Sequence, residues 1–185
     1  MTNPNKPYAN LDEINATKAA VSEQPALGNV TFKLSAQSNG GIAVLSKTGS
    51  LIQNGQADQT RDGKFTLIGD EPVALLGTDT GVSPAEYILH SLASCYTVTL
   101  TSMAAEQGID LDSIELDMNF DINLNGFLGL DKNVRNGAQG IRVDVKLNSS
   151  SATQEQLEAL VKALPSHSPI HDTLANPVTI TTNLV

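Results

Sequence analysis

Strict alternation of apolar and polar residues is the most regular pattern in the chain, and it predicts strands. Over residues 114–124, six apolar positions alternate with acidic and amide side chains, and residues 141–147 repeat the pattern. Residues 29–36 alternate in the same way. Three shorter apolar runs extend this first group into an antiparallel meander: "IAVLS", "SLIQN" and "KFTLIG". The last ten residues, "NPVTITTNLV", predict a final strand.

Helices are predicted where the apolar spacing changes from two residues to three or four. The 19 residues from Tyr87 to Ala105 contain no Lys, Arg, Asp or Glu, which predicts a core helix wrapped by sheet on several sides. "TQEQLEALVKAL" combines an apolar stripe with a capping box formed by Thr153 and Gln156. Ser168 followed by Pro169 predicts the start of another short helix, and "NLDEINATKAAVSEQ" predicts one near the amino terminus.

The order of these elements indicates the fold class. Strands are followed by the central helix, two strands, an amphipathic helix and a last strand, without the regular alternation of a doubly wound fold. An α+β protein with a largely antiparallel sheet is therefore predicted. Residues 1–28 are expected to form an N-terminal helical arm, and residues 29–185 a single domain.

Composition and charge exclude several classes of function. The 185 residues include 11 basic and 20 acidic side chains, and a formal charge of −9 disfavours nucleic acid and anionic membranes as partners. Hydroxyl side chains interrupt the chargeless helix too often for a membrane span. The first 20 residues lack a basic segment followed by an apolar run, so a cytoplasmic protein is expected.

Cys95 is the only cysteine, and it lies in the middle of the chargeless helix. A lone cysteine is more often a small buried apolar residue than a nucleophile. Small and hydroxyl residues share its helical face, but His90 lies about 140° away and Glu86 lies nine residues earlier, on nearly the opposite side. Any group that activates the thiol must come from elsewhere in the fold.

Other candidate motifs are weak. His167, His171 and Asp172 contain metal-ligand types, but Pro169 lies between the histidines, and a capped turn explains the segment better. The glycines of "LNGFLGLD" fit neither a phosphate loop nor a dinucleotide-binding motif and indicate strand-end and hairpin geometry. Neither a metal nor a cofactor is predicted.

Three stretches together resemble the OsmC/Ohr family: "GTDTGVSPAEYILHSLASCYTVTL", "GFLGLDKNVRNGAQGIRVDVKLN" and "SHSPIHDTL". The resemblance spans about residues 28 to 185 and is strongest to longer OsmC-like proteins with an N-terminal helical extension. It implies an intertwined homodimer with curved sheets around paired central helices. It also implies that a thiolate at Cys95 attacks an organic hydroperoxide and becomes a sulfenic acid, which a second cysteine resolves before an external thiol restores it.

The chain departs from that family pattern at three positions. Ser168 stands where the resolving cysteine is expected, so no intramolecular disulfide can form. Ala85 replaces the carboxylate that follows the helix-opening proline in the hydroperoxide-resistance branch, with Glu86 one position later. Ile42 aligns with an expected arginine, and Arg61 is a substitute cation only if it is not an ordinary exposed loop residue.

The leading hypothesis is a one-cysteine organic hydroperoxide reductase with an external dithiol as reductant. Cys95 is its nucleophile, Ser168 and nearby amides bind the thiolate or sulfenate, and Glu86 is expected to act across the dimer or through a loop movement. A protein that binds a small apolar or thiol-bearing ligand in the interfacial pocket is the alternative. A third hypothesis, an acyl or sulfur transferase, requires His167 or His171 within hydrogen-bond reach of the thiol.

Overall fold

A computed structural model describes residues 4–185 of the chain, which form two compact units. One unit is Asp12–Tyr87, and the other combines the residues up to Leu11 with Ile88–Val185. Each contains antiparallel strands together with helices, which confirms the α+β class. The predicted arm boundary at Gly28 stays a prediction.

The first unit is built around a four-stranded sheet. Helix α1 (Leu11–Glu23) confirms the predicted amino-terminal helix, and four strands follow it: β1 (Val30–Ser38), β2 (Val44–Gln53), β3 (Gln56–Asp58) and β4 (Thr66–Gly69). Strand β2 pairs with β1 on one edge and with β3 and β4 on the other, always antiparallel. The runs predicted as two strands, "IAVLS" and "SLIQN", form the single strand β2, because the polar residues between them continue the ladder with β1.

The second unit contains the central helix and a two-stranded sheet. Its elements are α2 (Pro84–Glu106), β5 (Leu111–Asp121), α3 (Leu124–Phe127), β6 (Gly140–Ser149), α4 (Gln154–His167) and α5 (Pro169–Ala175). Strands β5 and β6 pair so that Ile114 faces Leu147 and Met118 faces Val143, which confirms the alternating pattern. The capping box at Thr153 is also confirmed.

The core of this unit lies on one side of α2. Leu100 of α2 and Leu160 of α4 are fully buried, and the partly buried apolar face of β5 and β6 packs against the same cluster. On the outer side of α2, Val98 is 66% exposed, and Ser94 and Thr97 are also exposed. In this unit, sheet packs against one side of α2, and the prediction that sheet wraps the helix on several sides stays a prediction.

Two predicted strand ends differ from the structure. Residues 177–185 form no strand, and Val178 and Ile180 are exposed. Alternation produces a strand only where another edge binds the backbone groups, and no strand within residues 4–185 pairs with this segment. Strand β5 ends at Asp121 rather than Leu124, because the Asn123 side chain accepts a hydrogen bond from the Asn125 amide and caps α3.

A buried carboxylate organises the loop that leads into α2. Asp70 is 3% exposed and accepts hydrogen bonds from the amides and hydroxyls of both Thr78 and Thr80, at 2.7–3.1 Å, and from the Glu71 amide at 2.8 Å. The Thr78 hydroxyl first, and then the other donors, hold the pKa of Asp70 well below its usual range. A side chain at Gly77 would overlap the Glu71 carbonyl group. The loop therefore has a fixed conformation before α2 begins.

Asp70→Asn is expected to lower the melting temperature at pH 7 by several degrees. An amide presents an N–H₂ group to donors that need an acceptor, so several bonds of the loop are lost. Because the folded-state pKa is depressed, the stabilisation is present above the unfolded carboxyl pKa of about 4 and is lost as the pH falls toward the folded-state pKa. Calorimetry at pH 7 and pH 3 should therefore show a smaller difference from the wild type at pH 3. Asp62→Asn, in another exposed loop, is the matched control.

Candidate functional site

The thiol of Cys95 and the hydroxyl of Ser168 form the centre of the candidate site. Cys95 is half-buried on α2, and the Ser168 hydroxyl donates a hydrogen bond to its Sγ at 3.1 Å. The two residues are 73 positions apart in the sequence. Among residues 4–185, the Ser168 hydroxyl is the group that forms a hydrogen bond with the Cys95 sulfur.

Ser168 occupies the corner between two helices and is only 2% exposed. Its amide donates to the Leu164 carbonyl at 2.9 Å and ends α4, while its Oγ accepts the His171 amide at 3.2 Å and caps α5. This confirms the predicted cap. The His171 amide is directed to the serine oxygen, so the expectation that nearby amides bind the sulfur is replaced by an indirect arrangement in which the hydroxyl relays the interaction.

This arrangement suits a sulfur anion. A hydroxyl group that accepts one hydrogen bond while donating another is polarised, and its donated bond becomes stronger. A bond to an ionised acceptor is stronger than one to a neutral acceptor. The Ser168 hydroxyl is therefore placed to donate a hydrogen bond to a thiolate or sulfenate at Cys95.

A second pair of side chains joins α2 to α5 beside this bond. The Tyr96 hydroxyl and His171 Nδ1 are 2.6 Å apart, and the two rings stack with centroids 6.0 Å apart and planes inclined by 16°. Tyr96 is 6% exposed, and burial first, then the neighbouring Cys95, raises the pKa of its phenol. Sequence reasoning missed this pair, because 75 residues separate its members and no local pattern links them.

The side chain and amide of Glu86 form hydrogen bonds with Ser83 at the start of α2. Its carboxylate accepts the Ser83 amide at 2.8 Å, and the Ser83 hydroxyl accepts the Glu86 amide at 3.2 Å, which together make a capping box. The Ser83 amide, followed by its hydroxyl, lowers the pKa of Glu86. Nine residues of helix correspond to roughly 14 Å along the axis, so the chain does not bring Glu86 to its own Cys95. A catalytic role for Glu86 stays a prediction.

The other candidate residues have structural partners. The Arg61 guanidinium lies 5.5 Å from the centroid of the Phe65 ring, and its carbonyl accepts the Thr48 hydroxyl. Ile42 is exposed and follows Gly40 and Gly41, which both have positive φ angles. His167 Nδ1 lies 3.0 Å from the Ala163 carbonyl at the end of α4. Because the sulfur is bonded to Ser168 and the histidines are bonded elsewhere, the geometry gives no support to a Cys–His transferase.

No group of three or more His, Cys, Asp or Glu side chains in residues 4–185 is arranged to hold a metal ion. In the same part of the chain, no helix is long and apolar enough to cross a membrane.

The family is decided by a sequence comparison. The family model described as "OsmC-like protein" matches residues 77–183, a segment that includes both Cys95 and Ser168. The chain belongs to the OsmC family. Among functionally curated proteins, none shows significant sequence similarity to it.

Solved structures of OsmC proteins share the fold. An OsmC-like protein from Mycoplasma pneumoniae is 17% identical with a TM-score of 0.60, and the match covers 80% of this chain and 89% of that one. The organic hydroperoxide resistance protein OhrB of Bacillus subtilis is 22% identical with a TM-score of 0.52, covering 80% and 92%. An organic hydroperoxide resistance protein OsmC from Legionella pneumophila is 17% identical with a TM-score of 0.52, covering 78% and 88%. At these identities the similarity establishes the OsmC-like fold.

Proposed function

We propose that this OsmC protein is a one-cysteine, thiol-dependent peroxidase that reduces organic hydroperoxides at Cys95. The observation that carries the proposal is the 3.1 Å hydrogen bond from the buried Ser168 hydroxyl to the only thiol of an OsmC chain. Two of the similar structures are named for organic hydroperoxide resistance, which supports the substrate class.

The reaction has two stages. In the first, the Cys95 thiolate attacks the terminal peroxide oxygen, the O–O bond breaks, and the leaving alkoxide takes a proton to become an alcohol while the sulfur becomes a sulfenate. In the second, an external dithiol attacks the sulfenic acid, releases water and forms a mixed disulfide with Cys95. The second thiol of the reductant then breaks that disulfide and restores Cys95. Ser168 donates to the sulfur anion in each oxidation state.

The active species in this proposal is a homodimer. Every residue of β1 is exposed, including Phe32 at 77%, and the outer side of α2 is uncharged near Val98. Large exposed apolar areas mark association surfaces. A second copy of the chain presents the same exposed strand and the same uncharged side of α2. Glu86 of the partner subunit would be the carboxylate that the single chain does not bring to Cys95. A monomer mass by light scattering would contradict this part of the proposal.

The proposal places the reaction in the cytoplasm. A chain with one cysteine cannot form an internal disulfide to store the oxidised state, so it depends on a supply of reduced thiols. The cytosol maintains such a supply, whereas oxidising compartments do not.

The proposal is tested by following hydroperoxide consumption by the reduced protein. We expect an alkyl hydroperoxide to be consumed faster than hydrogen peroxide, because apolar side chains line the cavity at Tyr96, the residue that follows Cys95. We also expect dithiols, including a lipoylated protein, to support turnover better than a monothiol at the same thiol concentration. The proposal fails if Cys95 reacts with both peroxides no faster than a free cysteine does.

A second candidate function, binding of a small apolar ligand, is supported by a cavity next to the site. The cavity has a volume of about 270 Å³, and its walls combine Tyr96, His171, Arg135 and Gln139 with apolar side chains. The larger apolar residues that line it are Leu92, Ile141, Val143 and Leu174. A protein that leaves peroxides intact but binds apolar ligands in this cavity would favour this function over the peroxidase.

A further inference from the structure

The hydroxyl of Ser168 can stabilise the sulfur anion only while it points at Cys95, and the structure suggests what holds it there. A serine hydroxyl rotates freely unless its neighbours fix it. The backbone of Ser168 is fixed by its bond to Leu164, but that bond leaves the side chain free to turn. The direction of the hydroxyl is set by the His171 amide, which donates to the serine oxygen at 3.2 Å.

The position of that amide depends in turn on how α5 sits against α2. Helix α5 has only seven residues, and two of its side chains, Ile170 and His171, contact the core side of the unit. Ile170 makes an apolar contact, which does not fix a direction. The 2.6 Å bond between the Tyr96 hydroxyl and His171 Nδ1 does fix one, since hydrogen bonds weaken steeply away from their preferred angle.

We propose that Tyr96 and His171 are positioning residues that hold the Ser168 hydroxyl against the Cys95 sulfur. Tyr96 follows Cys95 directly on α2, and His171 lies on the first turn of the helix that Ser168 caps. The two bonds, Tyr96 to His171 and Ser168 to Cys95, therefore join the same two helices side by side. Together with the backbone of the two helices, these two bonds form a closed ring. The inference rests on the proposed function, because it concerns the thiolate that attacks the peroxide.

The burial of the pair supports this role. Tyr96 is almost fully buried, so its hydroxyl has little access to water, and the loss of its partner would leave a buried polar group unpaired. The raised pKa of the phenol keeps the hydroxyl protonated and able to donate to Nδ1.

The test measures alkylation of Cys95 by iodoacetamide at pH 7, a reaction that reports the thiolate and does not require peroxidase turnover. Ser168→Ala is expected to slow alkylation about tenfold, through loss of the direct bond to the anion. Tyr96→Phe keeps the ring and removes the hydroxyl, and it is expected to slow alkylation about threefold through loss of the fixed geometry. His171→Leu should match Tyr96→Phe. His171→Gln, whose side-chain carbonyl can still accept from Tyr96, should restore most of the rate.

Two controls separate positioning from a general structural effect. Tyr87→Phe makes the same substitution on the same helix, where the hydroxyl donates to the Ile68 carbonyl at 2.8 Å, and it should leave alkylation unchanged. The double variant Tyr96→Phe with Ser168→Ala should react no more slowly than Ser168→Ala alone, because Tyr96 acts through the serine. If Tyr96→Phe does not fold, the comparison of His171→Leu with His171→Gln gives the same answer.

The inference is overturned if Tyr96→Phe and His171→Leu alkylate at the wild-type rate, or if the two effects multiply in the double variant. Failure of the proposed function is recognised separately. If the wild type consumes no hydroperoxide but the variants show the predicted alkylation rates, the peroxidase proposal is wrong and the positioning role still holds.

Discussion

Cys95→Ser is expected to abolish catalytic hydroperoxide consumption and leave only the uncatalysed rate. Cys95 is the only cysteine of the chain, so no other thiol can take its place. A serine hydroxyl is a far weaker nucleophile than a thiolate at neutral pH, and its oxygen is not oxidised by a peroxide as sulfur is. The loss should exceed 100-fold in turnover, since the covalent step itself is removed. Peroxide consumption with a dithiol reductant, measured beside the wild type, checks this result.

The serine variant should also be folded, which makes the comparison interpretable. Cys95 is half-buried at the edge of the core rather than in its centre, and a serine oxygen can accept the same hydrogen bond from Ser168. We expect its melting temperature to lie within a few degrees of the wild type. Residual turnover above the blank in a folded variant would show that the chemistry occurs elsewhere in the chain.

Local patterns predicted the elements around the site more reliably than the contacts within it. The alternation of residues 114–120 and 141–147, and the caps at Thr153 and Ser168, depend on neighbours in sequence and are confirmed. The prediction of the last strand was wrong because alternation in one segment does not show whether a partner strand is available. The missing partner is not in the described part of the chain.

The contacts at the site are long-range and needed other information. Ser168 was identified through the family pattern, since spacing alone cannot bring together residues 73 positions apart. The same limit hid the Tyr96 to His171 bond, for which the family pattern offered no signal. The Asp70 network also joins residues eight to ten positions apart, which is beyond the local side chain–backbone bonds that an aspartate typically makes, so no short pattern predicts it. Contacts between residues that lie far apart in the chain are the hardest to predict from a single sequence.

Ser168→Cys is expected to convert the protein into one that forms an intramolecular disulfide with Cys95 on oxidation. The serine oxygen already lies 3.1 Å from the sulfur, and the longer carbon–sulfur bond of cysteine shortens the remaining gap to a disulfide of about 2.05 Å. After one equivalent of alkyl hydroperoxide, the wild type should carry a sulfenic acid that dimedone labels. The variant should lose two hydrogens instead and take no label. Intact mass spectrometry distinguishes the two products.

The disulfide should also stabilise the oxidised variant, because it would close a loop of 73 residues in the unfolded chain. The chain-entropy model gives about 4 kcal/mol for such a loop, enough to raise the melting temperature by roughly 10 °C in a protein of this size. Ser166→Cys is the matched control, since the Ser166 hydroxyl is exposed and donates to the Ala163 carbonyl. It should remain labelled by dimedone at Cys95. If Ser168→Cys is labelled to the same extent as the wild type, residue 168 is not placed to react with the oxidised sulfur, and its assignment to the site is wrong.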